Sequence, residues 1–258
     1  MNTFLTELKT RNNTLFYFGW ACLYAALGCL VLLFTSNTMV LGINAWIKPM
    51  KFFLSTVFFS WSMGWYLFYL NEQRKTTIYS WALVITLLFE LIYIAWQAAK
   101  GELSHFNISS AFHGRMFSLM GIVISIITAW TGYITFLFWR KPFPQLSASY
   151  VWGIRFGLLL FVVFAFAGGL MATRLSHTVG SVMETTQGFP ILNWSRESGD
   201  LRVAHFFGMH ALQLLPLLGF YIVRRKWLII LISLLYAVVV AALLWQALKA
   251  VPLIPLDK

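Results

Sequence analysis

The sequence predicts an all-α fold, a bundle of seven transmembrane helices, and three observations carry that reading. Of 258 residues, 60% are hydrophobic and only 10% charged, where a soluble domain carries about 25% charged residues. The mean hydropathy is +0.76. Apolar runs of about 20 residues, the length that crosses ~30 Å of hydrocarbon, recur along the chain between short polar connections. These features exclude a soluble enzyme, a disordered chain and a DNA-binding domain. The net charge of +11 has a topological origin and is no nucleic-acid footprint. Residues 1–258 read as a single membrane domain whose main partner is the lipid bilayer.

The first helix is expected at about 15–36. It is too long for the apolar core of a cleavable signal and lacks a small-residue cleavage site after it. It holds Cys22 and Cys29, about 10 Å apart along one helix, where they cannot bond to each other. The second helix, about 47–70, takes Pro49 in its first turn, where the missing N–H is harmless. The third, about 77–98, lies between Asn71-Glu72 and Gly101, and the fourth, about 111–139, ends at Pro142-Phe143-Pro144. The fifth is expected at 150–173, the sixth at 202–223 behind Asp200 as N-cap, and the seventh at 227–249 behind Arg224-Arg225-Lys226. The 174–201 connection mixes glycines, aromatics and both charge signs, the composition of an ordered lid rather than a tether.

Clusters of Lys and Arg in short connections mark the cytoplasmic side. They are Lys9 and Arg11, Arg74 and Lys75, Arg140 and Lys141, and Arg224 to Lys226, with Arg155 able to snorkel towards them. The N-terminus is then cytoplasmic and the C-terminus extracytoplasmic. All five histidines, His105, His113, His177, His205 and His210, fall on the outer side, which predicts a polar, histidine-rich site opening outward. Trp96-Gln97-Ala98-Ala99-Lys100 returns as Trp245-Gln246-Ala247-Leu248-Lys249 after 149 residues. This faint repeat fits a parallel 3+1+3 helix arrangement.

Within the outer half, His205 and His210 lie roughly 7 and 15 Å below Asp200 and point about 140° apart, so each is expected to meet partners on other helices. His113 sits one turn into the fourth helix. Glu90 lies about 12 Å below the outer end of the third, where a carboxylate needs a partner or a proton. Lys48 and Lys51 share a face of the second helix. With Arg115 and Arg202 they are candidates for holding an anionic ligand group.

These segments resemble an uncharacterised family of bacterial multi-pass integral membrane proteins. The resemblance rests on Asn44-Ala45-Trp46-Ile47-Lys48-Pro49-Met50-Lys51-Phe52, Gln97 to Gly101 with Ser104-His105-Phe106-Asn107, His177-Thr178-Val179-Gly180, and Asn193-Trp194-Ser195 with Gly199 to Gln213. It implies one site built from these segments and a place in the bacterial cytoplasmic (inner) membrane, and it assigns no activity. The seventh helix has no mid-membrane lysine, unlike a retinal protein.

Three chemistries stay open. The first is a haem or transition-metal redox protein, with His113, His205 and His210 as metal ligands and Lys48, Lys51, Arg115 and Arg202 holding haem propionates. The second is a small-solute transporter using Glu90 and the repeat. The third is a zinc-dependent hydrolase with Glu90 or Asp200 assisting a bound water.

Overall fold

The computed structural model describes residues 2–180, 188–189 and 191–255. The chain is predominantly helical, and its contacts divide it into two compact units, Met1–Trp130 and Thr131–Lys258. Six helical segments are long and apolar enough to cross a membrane: Asn13–Thr35, Gln73–Lys100, Ala111–Arg140, Ala148–Arg174, Leu201–Ile222 and Lys226–Leu248.

Unit 1 begins with a short helix that hydropathy alone does not separate, α1 (Asn2–Arg11). Its Leu8 is fully buried. Its Arg11 pairs with Glu7 at 2.9 Å and lies over the rings of Trp65, Phe68 and Tyr69. Asn12 then caps α2 (Asn13–Thr35) by accepting from Leu15 N, which satisfies one of the free N–H groups of the first turn. The same side chain donates to Ser80 Oγ at 2.8 Å.

A two-stranded hairpin follows, β1 (Met39–Val40) and β2 (Ile43–Asn44). Its Leu41-Gly42 turn has φ of 50° and 77°, the doubly left-handed geometry that glycine eases. α3 (Ile47–Leu67) closes in a 3₁₀ turn, and Asn71, at φ 53°, stops it. α3 is long enough to span, but Lys48, Lys51, Thr56, Ser60 and Ser62 lower its apolarity, and it is not among the six apolar segments. α4 (Gln73–Lys100) ends at Gly101, φ 70°, the left-handed stop that glycine adopts at least strain. α5 (Ala111–Arg140) carries the chain across the division at Trp130.

In unit 2, Ser147 caps α6 (Ala148–Ala167). The fifth expected helix runs to Arg174 as one apolar segment with an interruption at Gly168. It restarts at Gly168 as α7 (Gly169–Arg174), where a side chain on Gly168 would stand 2.9 Å from His205 Cε1. The strands β3 (Thr178–Val179) and β4 (Gly199–Asp200) pair antiparallel. α8 (Leu201–Leu217) relaxes into a π turn just after Pro216, as expected where proline removes a ladder hydrogen bond. α9 (Lys226–Leu248) completes the unit. Gly153 and Gly157 bring α6 against α8 so closely that a Cβ would stand 2.5 Å from Leu215 O and 2.9 Å from Ala211 O. Small residues allow such backbone approach in helix pairs that gain little from a hydrophobic drive. The expected snorkelling of Arg155 has a geometric counterpart, since its guanidinium donates to Phe138 O and Lys141 O at the end of α5.

Each unit runs through the same parts: a capped long helix, a strand pair, a helix with an irregular last turn, and a third long helix with a latched end. The latch recurs bond for bond at the 149-residue offset. Gln97 Nε2 donates to Leu103 O at 2.9 Å, and Gln246 Nε2 to Pro252 O at 2.8 Å. Glu102 N donates to Gln97 O, and Val251 N to Gln246 O. Gly101 and Ala250 both take the left-handed conformation, at φ 70° and 60°. The entry to the strands also recurs, with Ser36 Oγ 3.0 Å from Thr38 Oγ1 and Ser176 Oγ 3.1 Å from Thr178 Oγ1.

Candidate functional site

The buried face of α4 carries Glu90, Tyr93, Ile94 and Gln97, the spacing that lines one side of a helix. Past Gly101 the chain turns back. Asn107 holds the turn by donating to Leu103 O and accepting from Ser109 N and Oγ. Gln97, fully buried, clamps the same Leu103 carbonyl. The turn delivers Glu102 beside the first turn of α5, where Ser110 Oγ accepts from His113 N.

His113 is the centre of this cluster. Its Nδ1 lies 3.2 Å from Tyr93 Oη and 3.3 Å from Gln97 Nε2, and its Nε2 lies 3.2 Å from Glu102 Oε2. One neutral tautomer satisfies all three contacts. Nε2–H donates to the carboxylate, and the single Nδ1 lone pair is shared between the phenol and the amide. Gln97 Nε2 also lies 3.3 Å from Glu102 Oε2. The Oε1 atoms of Gln97 and Glu90 and the Oγ of Ser60 are buried without a hydrogen-bond partner. Buried polar atoms are nearly always paired, so three such oxygens on α3 and α4 are a departure from the usual interior.

The other candidates of unit 1 take different roles. Arg115 Nε donates to Ala111 O within its own helix. His105 is half-buried and lies against the rings of Phe52 and Phe117, with Ser104 Oγ 3.1 Å from Nδ1. Burial first, and then the charge of Lys48, hold the His105 pKa well below its ordinary value. Lys51 lies one turn beyond Lys48 on α3.

In unit 2 the candidates are tied into the scaffold. Asp200, 2% exposed, caps α8 as expected and accepts from Arg202 N and Ser195 N at 3.0 and 2.8 Å. The Arg202 guanidinium grips both carboxylate oxygens, with Nη2 to Oδ2 at 2.6 Å, and also donates to Asn193 O. A carboxylate so supplied with donors is a structural knot, with no lone pair in reserve for a water. It borders a cavity of about 10 Å³ with Gln246 and Val251, room for about one water. His205 Nδ1 lies 2.7 Å from Phe164 O, and His210 Nδ1 lies 3.2 Å from Gln213 Oε1. Among the described residues, no group of three or more His, Cys, Asp or Glu side chains is placed to hold a metal ion.

The residues singled out by sequence thus separate by unit. Lys48, Lys51, Glu90, His113 and Arg115 belong to unit 1, and Asp200, Arg202, His205 and His210 to unit 2. The partners of His113, namely Tyr93, Gln97 and Glu102, are added by the structure. Their signal lies in the register from Glu90, since Tyr93 and Gln97 follow it at i+3 and i+7. Of the expected lid, 181–187 and 190 lie outside the described residues. The rest includes an antiparallel bridge between Gly188 and Ser195.

The fold and these clusters define a predominantly helical protein suited to the membrane, made of two similarly assembled units. The chain matches no family model, no curated protein and no solved structure.

Proposed function

We propose that this chain is a small-solute transporter of the bacterial cytoplasmic membrane, with its polar solute site in unit 1. In this reading α3 crosses the bilayer with the six apolar segments in a 3+1+3 arrangement. The N-terminus is cytoplasmic, beside the Lys and Arg clusters. One observation carries the reading: Ser60 Oγ, Glu90 Oε1 and Gln97 Oε1 are buried within unit 1 without partners. Buried oxygens that no protein group satisfies can receive a donor-bearing solute or a cation. The bond-for-bond recurrence of the glutamine latch supports the repeat architecture common among transporters. Purified protein in proteoliposomes, offered labelled amino acids, sugars and small carboxylates in turn, should take up one class. Glu90→Gln should abolish that uptake. Uptake of every class at the rate of empty liposomes would overturn the proposal.

A second reading keeps one specific observation. His205 engages Phe164 O through Nδ1, the orientation that leaves Nε2 free as a metal or haem ligand. His113 is less suited, since both its nitrogens are engaged. Protein purified from haem-replete cells would then show a Soret band that His205→Ala removes. The hydrolase reading gains nothing from the saturated Asp200.

A further inference from the structure

The path from Glu102 to Glu90 is graded in exposure. The Glu102 side chain is 41% exposed and that of His113 14%. Tyr93 and Glu90 are 3% and 7% exposed. The hydrogen-bonding atoms along it alternate as a proton wire requires: carboxylate, imidazole, phenol, and then a carboxyl group one turn below on the same face of α4. We propose that Glu102, His113 and Tyr93 are a proton-access path that loads and unloads Glu90. The proton is then the ion that unit 1 couples to its solute, an inference that rests on the transporter reading.

The step balances without any co-reactant but water. In the tautomer with Nε2–H on Glu102, a protonated Glu90 passes its proton by way of water to Tyr93 Oη, one turn along α4. The phenol passes its own proton to His113 Nδ1, and His113 Nε2–H goes to Glu102 and on to bulk water. One proton leaves Glu90 and one reaches solvent. The imidazole is left as the Nδ1–H tautomer, which is the form loading needs. For loading, water protonates Glu102, Glu102 protonates Nε2, Nδ1–H goes to Tyr93, and the phenol proton reaches Glu90. Each discharge thus prepares the next charge. The charged or titratable groups facing His113 are Glu102 and Tyr93, with Gln97 neutral beside them. Among the described residues no ion pair reaches Glu90, so its occupancy follows the proton supply.

Infrared difference spectroscopy on reconstituted protein tests this, through the carboxylic-acid carbonyl band that Glu90→Gln removes. A pH jump on the side carrying the 101–110 loop should make the band rise and fall. His113→Gln and Tyr93→Phe, checked for folding by size exclusion and circular dichroism, should keep the band at equilibrium and slow its relaxation at least about tenfold. Unchanged relaxation in both variants, a band that follows only the opposite side, or a band indifferent to pH would overturn the path. Solute uptake with unchanged relaxation in the variants would refute the relay alone. A responsive, variant-sensitive band in protein that transports no solute would refute the transporter reading alone.

Discussion

Units 1 and 2 are assembled from the same parts, yet they treat buried polarity in opposite ways. In unit 2, Asp200 and Arg202 close on each other, Ser195 and Asn193. Tyr236 finds Phe207 O and Ser149 finds Gly219 O. Among the described residues of that unit, the buried side-chain atoms without a partner are Ser233 Oγ and Arg196 Nε. Unit 1 leaves Ser60, Glu90 and Gln97 each with an unpaired oxygen, and gathers titratable groups around His113. An unpaired polar atom costs about 1–3 kcal/mol where a hydrogen-bonded one stabilises by about 1. Under the proposed function, unit 2 serves as scaffold and unit 1 holds the solute site.

The strongest way to break that division is to open the knot in unit 2. Asp200→Ala should destabilise the protein by about 3 kcal/mol, because it leaves the partly buried Arg202 guanidinium unpaired and removes the cap of α8. Unfolding in a graded detergent mixture reads the loss. A change under about 1 kcal/mol would mean that the knot is not structural. Close packing comes next. Gly153→Leu should lose about 1–3 kcal/mol, since the side chain meets the Leu215 carbonyl. Gly28→Leu should be neutral, having nothing within 4 Å of the added Cβ. Equal thermal shifts for the two variants would sink the argument from α6–α8 contact.

Unit 1 should respond the other way. Glu90→Gln is expected to leave stability unchanged or raise it by about 1 kcal/mol, while removing uptake. Marked destabilisation would make Glu90 a structural residue. A pH slope is expected from His105. Burial keeps it neutral in the folded protein, while in an unfolded loop it takes a proton near about pH 6.5. Below that pH the unfolded state binds the extra proton, so stability falls as pH falls. The limit is about 1.4 kcal/mol per pH unit, down to the depressed folded-state pKa. Unfolding compared at about pH 7 and pH 5, either side of the unfolded-state pKa, should show the slope in the native protein and its loss in His105→Asn.

Particular residues show where legibility ends. The helical positions are readable because apolar length and capping are local properties. Asp200 reads as an N-cap and Gly101 as a stop, and both act so. The repeat is faint as letters, since only Trp, Gln, Ala and Lys survive between the two segments, yet it is sharp as geometry. The need for glycine at position 168 is hidden because the ring that a side chain there would meet, His205, lies 37 residues further along the chain. Glu90 and His113 are identifiable as costly residues in apolar surroundings.

The amino-acid sequence by itself determined that this chain is helical and apolar enough for a bilayer. Those properties follow from composition, periodicity and local capping. Only the tertiary structure decided which polar residues are closed and which are open. It joined Asp200 to Arg202, His205 to the Phe164 carbonyl, and His113 to Tyr93, Gln97 and Glu102. The physical reason is that a hydrogen bond depends on a few tenths of an ångström between atoms far apart in the chain. Helix register constrains that distance, and packing fixes it.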